Sequence, residues 1–196
     1  MLKEPKSLIR TMITGVAAGL AAGVVVKGVD KVASTLVSEE QKQREKSVRE
    51  DSAHKMAGPY FAGKIMGREL SQQEQQRARA VFGVAYGTLW GLIYAGVRER
   101  FPQVSRFMGF PFAVPFFFGC DGTMVPLLGV SPGIQHLPWQ INAKELGNHI
   151  VWTVTAEAVH RMAERIPSGG LDEIIARTLP SRQEERVYGH SVESNE

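Results

Sequence analysis

ELGNHIVWTVTAEAVHRMAER, residues 145–165, is the stretch from which the fold can be argued. It reads as an apolar helix in which His149, Glu157 and His160 stand where a plain membrane anchor would carry Leu or Val. Ionisable groups at such positions are costly in an apolar environment, so other helices are expected to enclose them. At 100° per residue, His149 and Glu157 differ by about 80° around the helix, and Thr153 lies four residues from each. One face is therefore expected to present imidazole, hydroxyl and carboxylate together. Glu157 and His160 also make an E-x-x-H spacing, but di-iron bundles need that motif on two helices and here it occurs once, so no metal site is expected.

Working outward, composition hides the pattern. The 196 residues are 43% hydrophobic and 22% charged, an average that looks soluble. The polar residues, however, are concentrated at 38–79 and after 165, and the remainder is apolar with many small residues. A net charge of +3, with no run of basic residues interleaved with aromatics, gives no support for a nucleic-acid partner. The single cysteine, Cys120, excludes an intrachain disulfide and a Cys-based zinc cluster. Beside Asp121 it reads as a packed thiol, because a neighbouring carboxylate opposes thiolate formation.

Residues 8–26, LIRTMITGVAAGLAAGVVV, match the roughly 20 residues needed to cross a bilayer. Lys27, Asp30 and Lys31 follow where a signal-peptide cleavage site would lie, so an uncleaved first helix is expected. Gly15, Gly19 and Gly23 recur every fourth residue and leave a groove for another backbone. A second span at 80–97 repeats the device with Gly83, Gly87 and Gly91, so the first two helices are expected to pair through their glycine faces. Between them, SEEQKQREKSVRED reads as a solvated helix or arm, Gly58-Pro59 as a turn, and Ser71 with Glu74 as a capping box that starts the second helix.

The third segment, 107–130, contains Pro111, Pro115 and Pro126 and is expected to be kinked, with Asp121 as an ionisable group inside it. The fourth, starting near Asn142 or Glu145 and spanning 146–161, is short for a crossing, and 167–196 reads as a polar tail around LDEIIARTL. The expected architecture is thus all-α: a membrane-embedded bundle of about four helices over 1–166, with a long polar first loop. Lys3, Lys6 and Arg10, then Arg98, Arg100 and Arg106, then Arg161 and Arg165, would share one side, which places both termini in the cytoplasm.

Four stretches, GLAAGVVVKGVDKV, VAYGTLWG, MVPLLGVSP and LPWQINAKELGNHIVWTVTAE, resemble the YagU-like family of small bacterial inner-membrane proteins. The resemblance runs from about Gly15 to Arg161 and implies an integral inner-membrane protein with several helices and no assigned chemistry. It supports acidic groups at Asp30, Asp121 and Glu157 and an imidazole at His149. The charged segment after Lys31 departs from the family, which tends to be proline-rich there, as does Asn148, where a small residue is usual.

Two readings of function follow. In one, the chain is a structural or interaction protein, a homo-oligomer or a subunit of a larger membrane complex, and Asp121, His149, Thr153, Glu157 and an Asp30–Lys27 pair fix helix register. In the other, the Asp121–His149–Glu157 cluster takes up protons or an ion in transport or a stress response. Membrane lipid is the expected surrounding, and neither a cofactor nor catalysis is expected, since no nucleophile–base pair or phosphate loop is present.

Overall fold

A computed structural model describes residues 8–167, and among these every regular element is helical. Lys3, Lys6 and the polar tail with LDEIIARTL lie outside the described residues. Helix α1 (Leu8–Leu36, 29 residues) continues ten residues past the apolar stretch and ends where the Ser34 and Thr35 hydroxyls turn back onto the carbonyls of Lys31 and Val32. Helix α2 (Glu39–Val48) starts at Ser38, whose side chain accepts from the Gln41 N–H, with Glu39 and Glu40 in the first turn and Lys46 in the last.

The polar block at 38–79 is not a loop: it contains α2 and a third helix, α3 (Ala53–Met66), that packs on the bundle. Pro59 lies inside α3 and does not mark a turn. Tertiary packing overrides the local signal here, because Gly58 lets α3 close on α4 (Gln72–Arg100). A Cβ at Gly58 would sit 2.5 Å from the Ala78 carbonyl oxygen. Phe61 stacks on Phe82 at 6.0 Å along the same seam. Ser71 and Glu74 form the capping box at the start of α4.

After α4 the chain makes a 3-10 segment, Pro102–Gly109, in which Phe107 and Met108 adopt positive φ. The proline-rich segment then breaks into α5 (Phe110–Gly119), a π turn (Cys120–Met124) and α6 (Val125–Leu127). Pro111 and Pro126 occupy helix starts, where a missing N–H costs nothing, and the π turn ends at Met124, two residues before Pro126. The last helix, α7 (Trp139–Arg165), begins at Pro138 rather than at Asn142. The Asn142 amide is turned back onto the carbonyls of Ile134 and Leu137, so it ties the preceding loop and does not cap the helix. With 27 residues, or about 40 Å, α7 is not short.

Helices α1 and α4 run antiparallel, as do α4 and α5. Gly15 and Gly19 of α1 lie against Gly91 and Gly87 of α4, Cys120 meets Tyr86, and Phe112 and Phe116 meet Trp90. Helix α7 runs back along α1, with Arg10 bonded to the Ala163 carbonyl at one end and Lys144 to Asp30 at the other. The core joins Ala18, Ala22, Tyr94, Phe112, Phe116 and Trp152. Outside it the surface is apolar: Leu8, Val24, Val32, Val81 and Leu127 all stand exposed. Three helical segments, Leu8–Leu36, Gln72–Arg100 and Pro102–Leu127, are long and apolar enough to cross a membrane.

The glycine contacts make a direct test. A Cβ at Gly19 would overlap the Gly87 carbonyl, whereas one at Gly23 meets nothing within 4 Å. Gly19→Ala is expected to lower the stability of the detergent-solubilised protein by about 1–3 kcal/mol. Gly23→Ala should be neutral or stabilising by up to about 1 kcal/mol, both read from thermal melts.

A polar interior and a candidate binding cavity

Helix α7 carries its polar residues toward the other helices, and they divide into two groups. Near its C-terminal end Glu157 is fully buried and accepts from the Tyr94 hydroxyl, Arg98 Nε and Arg161 Nε, each at 2.8 Å. Arg98 also reaches Glu164 at 2.9 Å, and Arg161 donates to the Ser105 carbonyl. This carboxylate is saturated, and it clamps α4, α7 and the Pro102–Gly109 segment together.

Toward the other end lies Glu145, held by Arg49 at 2.6 Å and by the Asn148 amide at 3.3 Å. Arg49 is only 5% exposed and also grips Glu45, so α2 is pinned to α7 through it. Burial works against the Arg49 charge, but Glu145 and Glu45 outweigh that effect and its pKa is raised. Asp30 is engaged by Lys144 at 3.2 Å and Lys55 at 3.5 Å. It does not pair with Lys27, whose ammonium lies beside Gly83.

The expected single face of His149, Thr153 and Glu157 is therefore not one site. Eight residues of helix separate His149 from Glu157 by about 12 Å along the axis, too far for a shared partner. Thr153 does not bridge them; its hydroxyl donates to the His149 carbonyl at 2.7 Å. Glu157 faces Arg98 and not Asp121. His149 is the residue that meets Asp121, with Nδ1 3.7 Å from Oδ2. That same Nδ1 is 2.9 Å from the Glu145 carbonyl, which can only accept, so Nδ1 carries the hydrogen and Nε2 is the ring's acceptor in the neutral form.

Asp121 and His149 open on a partly open cavity of about 120 Å³, also lined by His54, Phe82, Tyr86, Phe116 and Trp152. Burial pushes the His54 pKa below its ordinary value, with the Glu145 charge acting the other way, so His54 is neutral near pH 7. Asp121 Oδ2 is buried and without a hydrogen-bond partner. Among the described residues no group of three His, Cys, Asp or Glu is placed to hold a metal ion. Sequence reasoning missed Arg49 and His54, which lie in a stretch without periodic apolar pattern. It also took Arg98 only as a topology marker, although a lone carboxylate on one apolar helix requires a cation from a neighbour.

An apolar exterior around an interior of paired charges defines a helical membrane protein. Over 78 residues the chain is 26% identical to "Inner membrane protein YagU" of Escherichia coli (strain K12), and it resembles that protein. The match covers 40% of this chain and 38% of the relative's length. No family model matches the chain, and no solved structure matches it.

Arg49→Ala would strand Glu145 without its cation, and a loss of about 3–5 kcal/mol is expected. The double change Arg49→Met with Glu145→Met should recover most of it in the same melts. For His54 the sign runs with pH: its folded pKa is depressed, so its contribution is complete above the ordinary value of about 6.5 and is lost as pH falls through the folded value. The melting temperature should therefore fall between pH 7 and 5, and less steeply in His54→Gln.

Proposed function

We propose that this chain is a four-span protein of the bacterial inner membrane, with both termini cytoplasmic, whose Asp121 cavity takes up a proton or a cation. The observation that carries this reading is the contrast among buried carboxylates: Glu157, Glu145 and Asp30 each lie within salt-bridge distance of a Lys or Arg, whereas the basic group that close to Asp121 among the described residues is His149, with Nδ1 3.7 Å from Oδ2. Facing it are His149 and Glu145 of α7, His54 of α3 and Tyr86 of α4, with Arg49 committed to Glu145. Binding or transport suits this arrangement better than catalysis, since Cys120 is buried and hydrogen-bonded with Tyr86.

Support for the fourth span comes from α7 itself. It lies beside α1 from Arg10 to Asp30, about 30 Å, which is the thickness of the hydrocarbon layer. Its polar residues turn inward, which is why its composition does not read as a span. Four spans would bring both described ends to the side of Arg98, Arg100, Arg106, Arg161 and Arg165, and this excess of positive charge in short connections supports a cytoplasmic location for that side.

The alternative, a homo-oligomer or complex subunit joined through glycine faces, has less support. Gly15, Gly19, Gly87 and Gly91 already face one another within the chain. Lipid remains the natural partner of the exposed Leu and Val surface.

Tryptophan fluorescence of the protein in liposomes tests the reading, because Trp152 lines the cavity. A reversible change between pH 8 and 5 is expected, absent in Asp121→Asn and shifted in His149→Gln. An identical titration in Asp121→Asn removes the proposal. For topology, phosphatase fused to the C-terminus should be inactive and the same enzyme inserted after Val48 active.

A further inference from the structure

The same cavity has walls that suggest what it would hold, and the following inference rests on the Asp121 reading just given. Four of its lining residues are aromatic: Phe82, Tyr86, Phe116 and Trp152. Phe116 packs edge-on against both Trp152, at 5.2 Å, and His149, at 4.5 Å, so the rings form a continuous wall and not isolated contacts. Phe82 and Tyr86 stack at 5.6 Å on the opposite helix. Aromatic faces attract cations, and they attract weakly hydrated organic cations without requiring a set of oxygen ligands.

Charge points the same way. Among the lining side chains the groups able to carry positive charge are His54 and His149, and His149 uses Nδ1 on a carbonyl. The lining acids are Glu145, already held by Arg49, and Asp121, whose Oδ2 has no hydrogen-bond partner. An anion would thus meet carboxylates and ring faces. A hard metal cation would ask for about six oxygen ligands, and no suitable cluster is present among the described residues. Size is compatible with a small organic group, since roughly 150 Å³ accommodates benzene and the partly open cavity offers about 120 Å³.

We propose that the cavity binds a small organic ammonium ion of about five heavy atoms, with its charge on Asp121 and its alkyl groups against Phe82, Tyr86, Phe116 and Trp152. The shape-matched pair tert-butylammonium and tert-butanol separates charge from bulk. Each is titrated into the full chain in detergent at constant pH and ionic strength, with NaCl as the third arm and both tryptophan fluorescence and thermal melting as readouts. The expected result is a saturable change and a raised melting temperature with tert-butylammonium alone. In Asp121→Asn the affinity for it should fall about ten- to a hundredfold, the range for loss of one charge-assisted contact.

Equal responses to the alcohol and the ammonium would mean an apolar cavity without charge selection, and would overturn the proposal. So would an equal response to NaCl, or unchanged ammonium affinity in Asp121→Asn. If Asp121→Asn does not fold, the comparison of the three solutes in the unaltered chain still decides. A pH response that depends on Asp121 but is accompanied by no ammonium binding would sink this inference and leave the proton reading standing; ammonium binding without a pH response would support this inference and remove the proton reading, leaving the cation one.

Discussion

A carboxylate on an apolar helix can stay charged only if another element brings it a cation, and this requirement organises the bundle. Glu157 is fully buried, and its three donors come from α4 and from α7 itself. Leaving such a group unpaired at the centre of a membrane helix costs about 2.5–3.5 kcal/mol on insertion scales. Sliding α7 by one turn against α4 would separate Glu157 from Arg98 and Tyr94 together, so the cluster selects one register from the many that apolar side chains would tolerate. The glycines act in the complementary way: they allow α1 and α4 to approach closely, and apolar close packing supplies attraction there without a polar contact.

At the opposite end the same rule recruits a segment that has no apolar stripe of its own. Helix α2 is held by local pairs such as Glu40 with Arg44 and offers almost nothing to bury. Its attachment is Arg49, just beyond its last turn, which sits between Glu45 and Glu145. Docking through one buried guanidinium makes that attachment all-or-none, since removing either partner leaves a charge stranded. It also carries α3 into place, because α3 begins four residues later at Ala53 and lines the cavity with His54.

These long-range pairings explain what could be read in the chain and what could not. Helix identity was legible because it is local: glycine at every fourth residue, the Ser71–Glu74 box and the prolines of 107–130 each state their meaning within a few residues. The oddity of His149 and Glu157 in 145–165 was legible for the same reason. Their partners were not. The i,i+4 geometry suggested a shared face, but angular position says nothing of the 12 Å or so that separates two groups along an axis. Pro59 and the start of α7 misled because tertiary contacts, α3 on Ala78 and Asn142 on the loop carbonyls, outweighed local turn and cap signals.

The two ends of α7 therefore differ in chemical completeness, and that difference separates structure from function more sharply than burial does. Around Glu157 the donors meet the acceptors, and a further ligand would have to displace an existing bond. Around Asp121 the acceptor capacity exceeds the donors: Oδ2 is without a hydrogen-bond partner, the nearest imidazole spends its N–H on a carbonyl, and the nearest guanidinium is held by two glutamates. A register-fixing role needs saturation, as at Glu157, because an unsatisfied member weakens the network it belongs to. Asp121 weakens its surroundings in that sense, and its only compensating possibility is to be satisfied by something that arrives. The aromatic side chains beside it suit a cation or a proton better than an anion, which is the basis of the reading proposed above.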